Sequence, residues 1–163
     1  MKITAATKNP VDPLAAARAA LAEHVLPPWC EPGQLAFVLQ LDEASPSNNT
    51  IKAMHFRAYK KLREAFAAEV RAAMGDTPAP GLPLSALFIV RRSAGALDWD
   101  NAIGGLKPIL DCLVSPSARN PDGQNIVQDD SPKYMPFPPF MRQLPAKRGA
   151  GSTEIFVFAV APL

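Results

Sequence analysis

The strongest constraint on the fold is a long amphipathic segment at residues 55–74. Its apolar side chains recur at spacings of three and four, at Tyr59, Leu62, Phe66, Val70 and Ala73. This spacing predicts a helix that buries one face. β-rich runs at residues 35–41 and 84–92 precede and follow it, and they predict strands. The chain is therefore predicted to form an α+β fold, in which a small mixed β-sheet of about four strands is packed by helices.

Local signals place the remaining elements. Asp12-Pro13 has the form of an N-cap followed by proline at the first helical position, so residues 13–26 are predicted to form a helix that a proline pair then stops. Residues 154–160 are predicted to form the final strand. Residues 133–140 hold three prolines, so any strand there is expected at a sheet edge.

Length and composition indicate one globular domain. The chain has 163 residues, of which 48% are hydrophobic and 20% charged, with a net charge of only +2. Nucleic-acid binding would therefore require a local basic patch. Two cysteines, Cys30 and Cys112, do not make a disulfide framework, and Cys112 lies in an apolar run typical of a core. No signal peptide or stretch of transmembrane length is visible, so a cytoplasmic protein is expected.

Acidic residues are concentrated in one part of the chain. Six of the nine aspartates lie between residues 98 and 130, with no His or Cys cluster beside them. Crowded carboxylates repel one another and destabilise a fold. A hard divalent cation relieves this repulsion, and an all-oxygen ligand set suits Mg²⁺ or Mn²⁺. Because Lys107 lies among these carboxylates, the pattern predicts a metal site that acts on phosphate esters.

The same aspartates also have a simpler interpretation. Aspartate is a common turn residue and a common helix N-cap. Asp98 and Asp100 could end a strand and begin a helix, and residues 129–132 could form an ordinary turn. The spacing alone leaves both interpretations open.

The segment after the first acidic motif is predicted to be helical, with a break. It contains a glycine pair and Pro108, which oppose one ideal helix, so we expect a helix over residues 105–114 or a kinked helix from residue 100. Either arrangement places Lys107 and Asp111 four residues apart on one helix face. The pair is then a plain surface ion pair, or Asp111 orients Lys107 toward a phosphate.

Basic residues cluster on the predicted helix of residues 55–74 and just before it. Five of the 17 basic residues fall within residues 52–63, and they are Lys52, Arg57, Lys60, Lys61 and Arg63. Such a run is a solvated face in most proteins, but beside a metal site it is also a surface for phosphate contacts. Arg91 and Arg92 end the second predicted strand and are candidates for the same role.

Four segments together carry a family resemblance. They are Pro46-Ser47-Asn48-Asn49, Asp98-Trp99-Asp100-Asn101, Lys107-Pro108-Ile109-Leu110-Asp111-Cys112-Leu113 and Asp129-Asp130-Ser131-Pro132-Lys133-Tyr134. In this order they resemble the RusA family of Holliday junction resolvases, from about residue 34 to the C-terminus. The resemblance implies a RusA-like nuclease domain over residues 34–163, preceded by an N-terminal extension over residues 1–33 that contains the first predicted helix.

The resemblance also implies an activity. Members of the family are small homodimeric, Mg²⁺-dependent endodeoxyribonucleases, often carried by prophages, that cut four-way DNA junctions symmetrically in recombination and repair. Mn²⁺ is a possible substitute for Mg²⁺. By position, Asp98, Asp100 and Asp130 match the catalytic, metal-binding carboxylates, and Lys107 matches the essential lysine.

Further positions follow from the same resemblance. Asp111 matches an additional acidic position on the helix of Lys107, and Asp129 and Asn101 are expected to support the metal ligands. Asn48 and Asn49 fall in a predicted turn-forming loop near the active face and join the basic residues as expected DNA contacts. The chain departs from the family pattern in having Leu97 where members carry a basic residue, and in a longer segment at residues 115–128.

Two other functions are compatible with these motifs. A non-catalytic protein could bind DNA junctions through the basic helix with a degenerate metal site. A sugar-nucleotide transferase could use Asp-x-Asp on a metal diphosphate, although the sequence shows no nucleotide-binding βαβ unit and is short for that class.

Overall fold

The computed structural model describes residues 12–162, so the first eleven residues of the predicted extension lie outside the described part. It contains five α-helices and four strands within that range. In chain order these are α1 (Pro13–Leu21), β1 (Leu35–Leu41), α2 (Asn48–Lys52), α3 (Phe56–Met74), β2 (Ser85–Ser93), α4 (Trp99–Gly104), α5 (Lys107–Leu113), β3 (Phe140–Pro145) and β4 (Ser152–Ala159). No helix among the described residues is long and apolar enough to span a membrane.

The four strands form one mixed sheet in the order β1-β4-β2-β3. Strand β4 pairs antiparallel with both β1 and β2, whereas β2 and β3 are parallel. The predicted α+β fold with a four-stranded mixed sheet is therefore confirmed. A parallel pair requires a crossover, and here α4 and α5 lie in the connection between β2 and β3. This βαβ connection was not visible in the sequence.

Both faces of the sheet are covered. On one face, Phe66 and Val70 of α3 share a core with Ile109 of α5 and with Leu39 and Ile89 of the strands. On the other face, a second core contains aromatic side chains of β2 and β4 together with residues of the N-terminal segment, among them Leu21, Cys30, Phe88, Phe156 and Phe158. Because both faces are packed, every residue from Ser85 to Arg91 is buried.

Helix α1 is shorter than predicted. Asp12 caps it, accepting a hydrogen bond from the Leu14 N–H at 2.9 Å, but the helix ends at Leu21 and not at residue 26. Tight turns follow, with the His24 N–H donating to the Leu21 carbonyl. Val25, which extended the apolar periodicity in the sequence, is 82% exposed. The prediction was wrong at this end because that periodicity did not correspond to a buried face.

Helix α3 confirms the predicted amphipathic segment. It spans Phe56–Met74, with His55 as its N-cap. Phe66 and Val70 are buried as expected, but Ala73 is exposed and Ala67 is buried in its place. The predicted stripe was thus correct in the middle of the helix and wrong at its C-terminal end.

The predicted loop at residues 46–49 is instead the start of a helix. Ser47 caps α2 by accepting a hydrogen bond from the Thr50 N–H at 3.0 Å, so Asn48 and Asn49 lie in the first helical turn. The prediction missed this because Pro, Ser and Asn favour turns and N-termini of helices alike.

Two glycines allow this segment to pack against α4 and α5. A Cβ atom on Gly104 would collide with the Asn48 side chain, and one on Gly105 would overlap the Pro46 carbonyl oxygen. The helix breaks at this point, and Pro108 lies harmlessly in the first turn of α5. The structure has neither a single helix over residues 105–114 nor one kinked helix from residue 100, because α4 ends at Gly104 and a separate helix, α5, begins at Lys107.

The start of strand β3 is set by the end of a proline-rich run. Residues 133–139 are not a strand, and the edge strand β3 begins only at Phe140, after the last proline of that run. The prediction of an edge position was correct and its placement at residues 133–140 was wrong. The final strand β4 lies within two residues of its prediction at both ends. Cys30 and Cys112 are both buried and free, as expected.

Candidate functional site

The first acidic motif begins helix α4. Asp98 is the N-cap, and its Oδ1 accepts the Asn101 N–H at 2.9 Å while its Oδ2 accepts the Asn101 Nδ2 at 2.9 Å. These backbone and side-chain hydrogen bonds lower the pKa of Asp98. Asp98 and Asp100 are both exposed. The capping interpretation is therefore correct for Asp98, and it leaves the carboxylate ionised at the surface.

Asn101 joins this motif to the Pro46–Asn49 segment. Its Oδ1 accepts a hydrogen bond from the Asn49 backbone N–H at 3.1 Å. Together with the close approach at the two glycines, this bond holds α2 against α4. The structure therefore places the segment beside the Asp98–Asn101 motif, with Asn101 as a structural bridge, and the expected proximity to an active face stays a prediction.

Gln143 fixes the chain immediately before Asp98. Its side-chain amide accepts the Leu97 N–H at 2.8 Å and donates to the Leu97 carbonyl at 2.7 Å. Gln143 lies on β3, so the edge strand positions the acidic motif that follows β2. This residue was missed by sequence reasoning, because a single glutamine in a strand carries no signal for a contact across the sheet.

Lys107 is the centre of a second cluster. Its Nζ lies 2.7 Å from Oδ1 of Asp111 and 2.8 Å from Oδ2 of Asp130. Burial lowers the pKa of Lys107, but the hydrogen bonds and charges of the two aspartates outweigh that effect and the net pKa is raised. Lys107 is therefore a permanent cation at neutral pH. The structure brings Asp130 beside Lys107 of α5, whereas the predicted meeting of Asp130 with Asp98 and Asp100 stays a prediction.

The return of the chain to α5 explains this meeting. After the loop that follows α5, Ile126 and Val127 are buried, and their N–H groups donate to the Leu113 carbonyl. Gln128 then donates its N–H to the Leu82 carbonyl at 2.9 Å. These hydrogen bonds place Asp129 and Asp130 beside α5.

Asp129 stabilises the turn that presents Asp130. It accepts hydrogen bonds from the Asp130 N–H at 2.9 Å and from the Ser131 hydroxyl at 2.8 Å. These hydrogen bonds agree with the simpler interpretation of Asp129 as a turn residue. Its predicted support of a metal ligand stays a prediction.

Tyr59 contacts the same cluster from α3. Its hydroxyl donates to Oδ2 of Asp111 at 3.3 Å. Burial, followed by the charge of Asp111, raises the pKa of Tyr59. Asp111 therefore contacts both Tyr59 of α3 and Lys107. These two contacts hold the Lys107 ammonium group in place.

A cleft of about 730 Å³ opens beside this cluster. Lys107, Asp111, Asp129 and Asp130 line it, together with residues that were not predicted, namely Arg119, Asn120, Gln128 and Tyr134. Asn120 donates its Nδ2 to the Asp111 carbonyl at 2.6 Å. The unpredicted residues lie in or near the loop after α5, where turn residues have no periodicity that would reveal a shared surface.

Asp98 and Asp100 are not among the described residues that line this cleft. Within residues 12–162 no three His, Cys, Asp or Glu side chains are grouped so as to hold a metal ion. The chemistry of the donor set still fits Mg²⁺, because the predicted ligands are all carboxylates. The shared site of Asp98, Asp100 and Asp130 stays a prediction.

The basic residues expected to contact DNA fall into two groups. Lys52, Arg57, Lys60 and Lys61 are exposed. Arg63, Arg91 and Arg92 instead bind groups within the protein. The first group alone forms an accessible basic surface on α2 and α3.

The three arginines of the second group are held by specific partners. Arg63 pairs with Asp122 at 2.8 Å, and Arg92 pairs with Glu154 at 2.7 Å. Arg91 is buried, which lowers its pKa, and its Nε donates to the Ser45 carbonyl at 2.9 Å. Their predicted DNA contacts would compete with these bonds.

A comparison with protein-family models found no match to this chain, and a search of curated proteins found none either. The resemblance to the RusA family rests on the four sequence segments.

Proposed function

We propose that the protein is a Mg²⁺-dependent endodeoxyribonuclease that resolves four-way DNA junctions in recombination and repair. The four segments that resemble the RusA family support this proposal, and so does the observed contact of Lys107 with Asp111 and Asp130. That contact is the observation that carries the proposal, because Asp130 of the second acidic motif pairs with the lysine that matches the family's essential lysine.

Lys107 supplies fixed positive charge. Its raised pKa keeps it protonated at neutral pH, so it acts as an electrostatic group and not as a general base. A permanent cation beside the scissile phosphate stabilises the negative charge that develops in the transition state. Asp111 restrains the ammonium group, which limits the reorganisation needed when the substrate binds.

Asp98, Asp100 and Asp130 are the residues that would hold Mg²⁺. When bound, the ion supplies an activated water and charge stabilisation for phosphodiester hydrolysis. Asp98 is suited to this role because the hydrogen bonds from Asn101 lower its pKa. Asp100 takes part in no ion pair among the described residues, so its carboxylate is available to a cation. Asp130, which pairs with Lys107, would become available to the ion once that pair is broken.

Two symmetric cuts require two active sites, so the proposal includes a homodimer, the commonest symmetric assembly. Sedimentation at micromolar concentration checks this directly. The proposal also places the protein in the cytoplasm, where its DNA substrate is found.

The test is cleavage of a synthetic four-way junction. We expect cleavage with Mg²⁺ or Mn²⁺, binding with little cleavage in Ca²⁺ because its coordination is larger and looser, and no cleavage in EDTA. A duplex of the same sequence should remain intact under all four conditions.

Full activity in EDTA, or equal cutting of junction and duplex, would contradict the proposal. A metal-independent cut would show that the carboxylates do not act through a cation, and an equal cut would show that the enzyme does not recognise branches.

The second candidate is a non-catalytic junction-binding protein. It is favoured by the ion pair that neutralises Asp130 and by the lack of a preformed metal group among the described residues. The same assay separates the two, since this candidate predicts tight junction binding with no cleavage in any metal.

A further inference from the structure

An apolar groove lies beside the first acidic motif. Large apolar side chains are unusually exposed there, with Val25 82%, Trp99 62% and Phe140 40% exposed. Together with Met141, Arg142 and Gln143 they line a groove of about 420 Å³. That volume falls in the roughly 300–1,000 Å³ range of ligand sites.

Trp99 connects this groove to the proposed active site. It is the first residue of α4 and lies between Asp98 and Asp100 in the chain. Gln143 fixes the preceding Leu97 through two hydrogen bonds. The backbone immediately before Asp98 is thus fixed, and Trp99, which is 62% exposed, lies next to two proposed metal ligands in the chain.

The groove combines aromatic surface with one positive charge. Trp99 and Phe140 contribute exposed aromatic surface, and the Phe140 ring also stacks on Phe88 with ring centroids 6.0 Å apart. Arg142 forms no ion pair with a carboxylate among the described residues. Aromatic rings beside a cation are the combination that binds single-stranded nucleic acid, through base stacking and a phosphate contact.

We propose that this groove binds an unpaired nucleobase of branched DNA, which stacks on Trp99 while Arg142 contacts the adjoining phosphate. This inference rests on the proposed function and deepens it by assigning how the branch point is recognised. Bases inside a duplex are already stacked, so only a base released at the branch can enter the groove.

A second copy of the chain fits the groove less well. Stable dimer interfaces involve about 20–30 residues on each side, and this groove is lined by six residues. A free arginine at its edge matches a phosphate, whereas an apolar dimer contact would desolvate that charge without a partner.

The fluorescence of Trp99 tests the proposal without relying on cleavage. The chain has two tryptophans, and the other, Trp29, stacks on Phe137 with ring centroids 5.0 Å apart. In a Trp29→Phe background Trp99 is the sole indole. We expect a four-way junction in EDTA or Ca²⁺ to quench it strongly, and an equal mass of duplex to leave it almost unchanged.

Paired substitutions separate stacking from simple hydrophobicity. Trp99→Phe keeps an aromatic ring and should retain most of the junction affinity. Trp99→Leu keeps an apolar side chain without a ring and should weaken junction binding by about tenfold or more, the effect of removing one base stack. Duplex binding by both variants should equal that of the parent.

Two results would overturn the inference. One is an unquenched Trp99 together with unchanged junction affinity in Trp99→Leu. The other is a change in sedimentation caused by Trp99→Leu in the absence of DNA, which would show that a second copy covers the groove.

Cleavage of the same junction in Mg²⁺ is scored separately. Cleavage without quenching refutes the base site alone and leaves the proposed nuclease intact. Quenching without cleavage refutes the nuclease and retains the groove as a DNA-binding site.

Discussion

At the scale of single residues, Lys107 makes the two ion pairs that organise the charges of the site. It bridges Asp111 on its own helix and Asp130 from a distant loop, and its side chain is 54% exposed. The exposure limits the stabilisation from these two ion pairs, because solvent screens surface charges. Their main consequence is geometric, since Lys107 holds Asp130 of the second acidic motif beside Asp111 of α5.

Replacing Lys107 with methionine tests this organisation. The substitution leaves two carboxylates facing each other, so the free energy of unfolding should fall by about 1 kcal/mol in urea titrations. Lys60→Met is the matched control, because Lys60 pairs with Glu64 at 3.7 Å on an exposed surface and should change stability by only a few tenths, about 0.3 kcal/mol.

The raised pKa of Lys107 determines how the difference in unfolding free energy between wild type and Lys107→Met depends on pH. A raised folded-state pKa gives stabilisation that is present below the unfolded pKa of lysine and is lost as the pH rises through the folded value. The difference between wild type and Lys107→Met should therefore stay constant from about pH 7 to about pH 9. Equal effects of the two methionine variants would contradict the bridging role of Lys107.

Asp98 and Asp100 differ in what they do for the fold. Asp98 caps α4 through Asn101, whereas Asp100 lies exposed in its first turn. Asp98→Ala should therefore lower the thermal midpoint of unfolding, and Asp100→Ala should leave it nearly unchanged. Both should abolish junction cleavage. Because hydrogen bonding lowers the pKa of Asp98, its stabilisation is present above the ordinary aspartate pKa and is lost as the pH falls through the lowered value.

Identical thermal midpoints for the two alanine variants at neutral pH would contradict the capping role. The roles of the two aspartates could not be distinguished from the sequence, because aspartate is favoured both as a helix N-cap and as a metal ligand. Asp98 is a cap in the fold and a metal ligand in the proposed site.

At the scale of elements, the packing of α2 on the junction of α4 and α5 positions the first acidic motif. Gly105 permits this contact because its backbone lies against the Pro46 carbonyl. The side chains of Asn48 and Asn101 then complete the contact. Loss of this packing should disturb the start of α4 before it disturbs the sheet.

Gly105→Ala should be strongly destabilising. The added methyl group overlaps backbone, which cannot move aside, so the free energy of unfolding should fall by about 2 kcal/mol or more. Gly95→Ala is the matched control, because nothing lies within 4 Å of a Cβ at that position, and its effect should lie within about 0.5 kcal/mol of zero. Equal stability of the two variants in urea would refute the close approach.

The elements that could be predicted from sequence were those with periodic burial. Strand β1 and the middle of helix α3 fit their patterns because regularly spaced side chains face the core there. The end of α1, the start of α2 and the placement of β3 could not be predicted, because they depend on packing between distant segments. Residues of the cleft such as Arg119 and Asn120 were missed for the same reason.

At the scale of the whole molecule, the net charge of +2 means that DNA affinity depends on where the charges lie. Three of the predicted DNA-contact arginines are engaged within the protein. Of the basic residues expected to contact DNA, the exposed ones are therefore those on α2 and α3, namely Lys52, Arg57, Lys60 and Lys61.

The salt dependence of junction binding measures this surface. Replacing both Lys60 and Lys61 with alanine should reduce the slope of log affinity against log salt by about one unit for each phosphate that the variant no longer neutralises. Replacing both Lys147 and Arg148 with alanine, in the connection between β3 and β4, removes the same number of positive charges from outside the surface and should leave the slope unchanged. An unchanged slope in the double variant of Lys60 and Lys61 would show that this face of α3 is only solvated.

The central claim is that the two acidic motifs, Asp98–Asp100 and Asp129-Asp130, act as one metal-dependent site. Single-turnover cleavage of a four-way junction in Mg²⁺, measured for Asp100→Asn, Asp130→Asn and the double variant, tests it most directly. We predict that each single variant loses about a hundredfold or more in rate and that the double variant loses little beyond either, because residues that act as a unit are not additive. All three should retain the wild-type circular dichroism spectrum. Wild-type cleavage by Asp130→Asn would contradict the claim and leave Asp130 as a structural partner of Lys107.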